Sequence, residues 1–189
     1  MKPIRAFIAV EFDDVLKRRL GKAVERLAAA AGRAVRWVRP EGMHLTLKFL
    51  GEIEMAAVVD VRRIMVESAA GMDPWVVTLK GLGTFGGRCP RVVWAGVDDP
   101  TGGLVKVAGE LNLRLEELGI RAEHRAYTPH LTLGRVRGKG RLDDLVAAVA
   151  GSADEEFGPL VVETLVLFES ELRPEGAVYT RLDHVDIGE

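Results

Sequence analysis

Only one cysteine, Cys89, occurs in the 189 residues, so no internal disulfide can form and a reducing, cytoplasmic setting is the expectation. No apolar run approaches the roughly 18 residues of a membrane span, so no membrane partner is expected. The opening Met1–Val10 is interrupted by Arg5 and followed by Glu11, and it has no cleavage-site pattern. It reads as a first strand rather than a signal peptide. Charge of one sign is also missing: a formal net charge of −2 excludes a globally basic nucleic-acid binder, though not a local basic patch. No Gly/Ser/Pro-rich linker divides the chain. Asp98-Asp99-Pro100 is only a turn, so the flanking halves should be rigidly joined.

A hydrophobic content of 48% with 29% charged residues is that of an ordinary folded domain and argues against disorder. The length fits one domain, or two small lobes sharing a core, and a monomer is expected. Basic residues are unevenly placed. Arg33, Arg36 and Arg39 crowd one stretch, Arg121 and Arg125 another, and Arg135, Arg137, Lys139 and Arg141 follow closely. Singly each is a solvated residue; together they suggest a positive cleft inside a mildly acidic protein.

Those clusters flank a tetrapeptide that occurs twice, His-Leu-Thr-Leu at His44–Leu47 and at His130–Leu133. On a strand each His shares a face with its Thr while the Leu residues face the other way. The surrounding pattern also recurs. Ile4–Val10 reads as a strand, and Asp13 caps a helix with the stripe Leu16, Leu20, Val24 and Leu27, ended by Gly32. Pro40 turns into a strand over Met43–Leu50, Val58, Val61 and Met65 mark a second helix, and Trp75–Leu82 and Arg91–Val97 are β-rich. Thr101 then caps a helix with Leu104, Ala108, Leu111, Leu115 and Leu118, stopped by Gly119. A strand over Pro129–Val136, a short helix after Asp143, and strands near Leu160–Phe168 and Ala177–Leu182 complete the chain.

His130 follows His44 by 86 residues, while Val161-Val162 follow Val76-Val77 by 85 and Tyr179 follows Trp94 by 85. This spacing predicts an internal duplication, with repeats over about 12–97 and 101–183 related by a pseudo-two-fold axis. The fold class is α+β: two pseudo-symmetric lobes, antiparallel sheets lining a central cleft and helices outside. His44 and His130 would face each other there, with Thr46 and Thr132 beside them.

Imidazole has an unperturbed pKa near 6.5, so a facing pair can supply one general base and one general acid near neutrality. Across a phosphorus atom that suffices for in-line displacement, with the Thr hydroxyls bonding phosphate oxygens. Arg135 offers a planar donor fork suited to phosphate. Strict alternation would turn Arg135 away from His130, so its role requires a strand end or a bulge after Gly134. One H-x-T alone is a weak signal that usually marks a structural histidine; two copies among four histidines reverse that reading. No Cys or carboxylate stands at ligand spacing from either His, which disfavours zinc and leaves no cofactor expected. No G-x-S-x-G turn is present, which disfavours a serine hydrolase. His124 and His184 lack the Thr and read as surface residues. G-L-G-T-F-G at Gly81–Gly86 opens no helix and reads as a loop near the cleft. Phe7, on the parity of Arg5, either lines the groove and stacks a base or belongs to the core. Trp37 and Tyr127 share that ambiguity.

The chain strongly resembles the 2H phosphoesterases, specifically the RNA 2′,3′-cyclic phosphodiesterases also called the LigT or 2′-5′ RNA ligase group. The resemblance lies in Arg5–Val10, Arg36–Gly51, Gly83–Gly86, Tyr127–Arg135, Leu167–Leu172 and Tyr179. It implies hydrolysis of 2′,3′-cyclic phosphate ends to 2′-phosphates without a metal, on RNA or nucleotides. It further implies His44 as proton donor, His130 as proton acceptor, and Thr46, Thr132 and Arg135 on the phosphate. Reversal would be 2′-5′ ligation. The rivals are the same chemistry on a small cyclic nucleotide, and a non-catalytic nucleotide- or RNA-binding module.

Overall fold

The fold was established from a computed structural model, which describes residues 3–87, 89–137, 142–174 and 176–188. Among the described residues nine strands form two antiparallel sheets that make two lobes. In chain order the elements are β1 (Ile4–Glu11), α1 (Asp14–Ala31), β2 (Val35–Trp37), β3 (His44–Ile53), α2 (Val58–Ala69), β4 (Trp75–Phe85), β5 (Val92–Asp98) and α3 (Gly103–Arg114). They continue with β6 (His130–Val136), α4 (Asp143–Ala150), β7 (Glu156–Val162), β8 (Thr164–Arg173) and β9 (Gly176–Asp186).

One sheet has the order β3-β1-β8-β9 and the other β2-β6-β5-β4-β7. Each therefore takes strands from both halves of the chain. The segments 12–97 and 101–183 do not sort into separate sheets, and the halves are bound by shared ladders rather than by the turn at Pro100. Helices are exchanged too. α1 follows β1 of the first sheet but packs with α4 against β7 and β2, while α3 follows β5 of the second sheet and packs with α2, which lies against β9, and against β3.

Local chemistry sets most of the boundaries. Asp13 accepts a hydrogen bond from the Leu16 backbone at 2.7 Å, and Gly32 closes α1 with φ of 55°. Leu16, Leu20 and Leu27 of the expected stripe are buried. At α3 the capping is shared differently from the expectation. Asp99 accepts from the Leu104 N–H at 2.8 Å and from the Thr101 hydroxyl at 2.8 Å, while Thr101 accepts only a 3.2 Å bond from Gly103.

Two strand readings are corrected. Gly81–Phe85 is no loop: it extends β4, with Gly83 opposite Trp94 and no room for a Cβ beneath the indole. The apolar run Leu160–Phe168 is not one strand either. It spans the end of β7 and the start of β8, in different sheets, and the chain crosses over at Glu163 without a Gly or Pro to signal it. The landmark pair Trp94 and Tyr179 does not mark equivalent positions. Trp94 lies on β5 opposite Thr132, whereas the residue opposite Thr46 is Ala9, and Tyr179 on β9 pairs with Ser170 on β8.

Candidate active site

The two His strands begin alike and bend alike. Leu45, Leu47, Leu131 and Leu133 are all buried, each contributing about 1.5–3 kcal/mol of burial and fixing which face His and Thr present. The β1–β3 ladder pairs Ala9 with Thr46 and then Ile8 with Lys48, leaving Leu47 extra; the β5–β6 ladder pairs Trp94 with Thr132 and then Val93 with Gly134, leaving Leu133 extra. Each strand thus carries a bulge three residues after its histidine. The bulge shifts the alternation, so Lys48 and Gly134 turn inward while Phe49 and Arg135 emerge on the His–Thr face. A role for Arg135 required an irregularity after Gly134; the bulge lies instead at Leu133, just before it, and turns Arg135 to the same face.

β3 and β6 run close together at the meeting of the lobes. One pocket is lined by His44, Thr46, Thr132 and Arg135, with Phe49, Arg5, Tyr179 and Ser170 around them. The structure thus brings both Thr, one His and Arg135 to a single cavity. His130 is not among its lining residues; it stands two residues before Thr132 on the same strand.

Both imidazoles are held the same way. His44 Nδ1 donates to the Gly42 carbonyl at 2.8 Å, and His130 Nδ1 donates to the Thr128 carbonyl at 2.7 Å. A carbonyl only accepts, so the proton sits on Nδ1 and Nε2 carries the exchangeable position in both rings. An aromatic edge meets each ring: Tyr179 on His44 at 4.9 Å, and Phe85 on His130 at 4.9 Å. The His44 surroundings are drier. Phe7 stacks on it at 4.6 Å, above a small cluster of Phe7, Ala9, Val166 and Phe168. Burial, with Lys17 adding a smaller like-charge effect, lowers the His44 pKa to about 4, against the raising effect of the Gly42 bond. Phe7 is 2% exposed, with its ring against His44 and Phe168, so it is the floor of the site and has no free face for a base.

Two links tie the lead-in of the second motif to the first. The Tyr127 hydroxyl, its pKa raised chiefly by burial, donates to the Thr46 carbonyl at 2.9 Å. Lys48, 2% exposed, donates to the Arg121 carbonyl at 2.9 Å and to Asn112 Oδ1 at 2.7 Å, with Glu123 at 3.7 Å. Tyr127 thereby resolves its ambiguity as a lobe-to-lobe strut. Trp37 packs over Gly134, where a Cβ would meet its ring.

Arginines divide by location. Arg26, Arg62, Arg63, Arg114, Arg173 and Arg181 pair with carboxylates. Among the described residues Arg5, Arg36 and Arg135 make no ion pair, and Arg36 and Arg135 are direct cross-strand partners. Like charges placed opposite each other destabilise a ladder, and an anion between them would relieve it. Lys139 and Arg141 lie outside the described residues. His124 and His184 are exposed, as expected. No three His, Cys, Asp or Glu gather as a metal cluster among the described residues, and no described helix is long and apolar enough to cross a membrane.

The model of the LigT-like phosphoesterases matches the chain twice, over residues 10–94 and 96–179. The chain belongs to this family. A Methanothermobacter thermautotrophicus relative named RNA 2′,3′-cyclic phosphodiesterase is 33% identical, over 95% of this chain and 97% of its own length. Its Thermotoga maritima namesake is 31% identical, over 93% of this chain and 91% of its own. Among solved structures, a Thermus thermophilus protein superposes with a TM-score of 0.80 at 28% identity, covering 97% of this chain and 98% of that one. Escherichia coli LigT, crystallised with phosphate, gives 0.75 at 21% identity with both chains fully covered. In this LigT-like chain, sequence reasoning missed Phe49, Phe85 and Ser170 as cleft-side residues. A bulge after each H-x-T would have revealed Phe49, since it moves the fifth residue after the His onto the His–Thr face.

Proposed function

We propose that this protein hydrolyses 2′,3′-cyclic phosphate ends of RNA to 2′-phosphates by two-histidine acid–base catalysis. The observation that carries this reading is the matched pair of imidazoles, each with Nδ1 fixed on a carbonyl two residues upstream, beside two Thr that share one pocket. The family membership and the relatives' names support the substrate class. Unpaired arginines at the cleft supply the field for an anionic ligand.

His130 takes the proton of a water attacking phosphorus, and His44 gives one to the departing 3′-oxygen. The Thr46 and Thr132 hydroxyls bond the non-bridging oxygens as their charge changes, and Arg135 neutralises it. The 2′-oxygen keeps the phosphate. In the empty cleft His44 is neutral at pH 7, so its donor role needs the substrate's negative charge to raise its pKa. Burial keeps the ring deprotonated until an anion enters; an opposite charge brought close then favours the imidazolium. With a 5′-hydroxyl in place of water as the nucleophile, the same groups would form a 2′-5′ bond and release the 3′-hydroxyl.

Phosphorus NMR of the product from a 2′,3′-cyclic-ended oligoribonucleotide tests the reading. A 2′-phosphomonoester formed at a rate indifferent to EDTA is the expected result. A 3′-phosphate, or chelator-sensitive turnover, would overturn it.

A further inference from the structure

The bulge after each H-x-T turns one residue of each His strand inward, and there the two strands differ in kind. On β6 the inward residue is Gly134, against which Trp37 packs. On β3 it is Lys48, 2% exposed, a cation where core filling alone would take an apolar side chain. A buried ammonium is costly unless acceptors meet its three donors. The Arg121 carbonyl accepts at 2.9 Å and Asn112 Oδ1 at 2.7 Å, with the Glu123 carboxylate at 3.7 Å. Residues 120–129, which lead into His130, form neither helix nor strand, so no ladder fixes them. Side chains hold their backbone instead. Asn112 Nδ2 donates to the Glu123 carbonyl at 3.1 Å, and its Oδ1, which takes the Lys48 bond, also accepts the Glu123 N–H at 2.8 Å. Lys48 thus grips residue 121 directly and residue 123 through Asn112.

We propose that Lys48 is a positioning residue for His130: its buried ammonium ties the lead-in of the second motif to the strand of His44, and so holds the Thr128 carbonyl that fixes the His130 ring. The stretch hangs on β3 at two points, the Lys48 side chain at residue 121 and the Thr46 carbonyl at Tyr127. Thr128 follows directly, and its carbonyl accepts from His130 Nδ1 at 2.7 Å. That bond keeps the proton on Nδ1 and leaves Nε2 free to take one. Releasing the stretch at residue 121 therefore frees the ring to turn and to exchange tautomers, while His44, fixed on Gly42 at the start of β3, keeps its own bond. The proposal rests on the two-histidine reading above and adds to it what sets the second ring relative to the first.

The test is K48M, followed by kinetics and by two-bond nitrogen–proton NMR of the imidazoles at alkaline pH, where both rings are neutral. K48M should lower kcat on a cyclic-ended oligonucleotide by about 10- to 100-fold, the scale of a small misplacement of a reacting group, with KM nearly unchanged. His130 should pass from the pure Nδ1–H form of wild type to a mixture of tautomers, and His44 should not change. A His130 that stays purely Nδ1–H in K48M, a His44 that loses this form as well, or a wild-type kcat would overturn the proposal. Where K48M does not fold, N112A removes the relay from Lys48 to Glu123 and carries the same expectation; an unchanged His130 tautomer there rejects the proposal. If wild type cleaves no cyclic phosphate, the functional reading fails instead, and the His130 tautomer in K48M still decides the positioning.

Discussion

The strands β3 and β6 carry the same four residues, the same bulge and the same Nδ1-to-carbonyl bond, yet they offer different chemistry. His44 is packed between Phe7 and Tyr179 and its pKa is lowered to about 4. His130 meets only the edge of Phe85, over which Arg125 lies at 5.8 Å. Past the bulges, β3 buries Lys48 and presents Phe49, while β6 buries Gly134 and presents Arg135. A repeated motif places two imidazoles in equivalent backbone settings; the neighbours then give them different surroundings.

The comparison can be broken most forcefully at the rings. Replacing either histidine, as H44A or H130A, should lower turnover on a cyclic-ended oligonucleotide by at least ~10², the scale of losing a general acid or base. Near-wild-type rates for either would dissolve the pairing. The threonines come next. T46V and T132V should each cost about 10- to 100-fold in kcat, since a hydroxyl on a phosphate oxygen matters most as charge develops. A loss confined to KM would instead mean ground-state binding only.

A smaller effect is expected at the strut. Y127F removes the bond to the Thr46 carbonyl and should lower stability by about 1 kcal/mol in urea unfolding, with a several-fold fall in kcat. Unchanged kcat would show that the lobes hold their register without it. The environmental contrast itself is sharpened by pH. His44 has a lowered folded pKa, so its neutral ring stabilises the fold fully above the unfolded value of 6.5, and that stability is lost as pH falls from there toward about 4. Between those limits wild type should lose on the order of 1–3 kcal/mol more than H44Q. Ring NMR should also show the His44 titration rising from about 4 when inorganic phosphate is added, so that phosphate binds more tightly as pH falls. A titration that stays put would remove the proton donor at neutral pH.

Much of this was legible in the residues. The stripe Leu16, Leu20, Leu27 and the punctuation by Asp13 and Gly32 announced α1, because caps and periodicity are local signals. The H-x-T pairs announced the shared His–Thr faces, because alternation fixes which side chains lie on one side of a strand. What escaped is what depends on pairing. The bulges at Leu47 and Leu133 arise from ladder register, which a single strand's pattern does not contain, and with them went the emergence of Phe49. The crossover at Glu163 hid inside an apolar run, since Leu160 and Val162 before it and Leu165, Val166, Leu167 and Phe168 after it are all buried. The exchange of strands between halves lies in the sheet order, where equal sequence offsets say nothing about which strands become neighbours.

The central claim is that the two imidazoles serve one phosphorus atom in one step. A double-mutant cycle on kcat, comparing H44A, H130A and the double variant with wild type on a cyclic-ended oligonucleotide, tests it most directly. Groups that act as a unit are non-additive, so the double variant should be about as slow as either single one. Losses that multiply would show two histidines working independently, and would contradict the account.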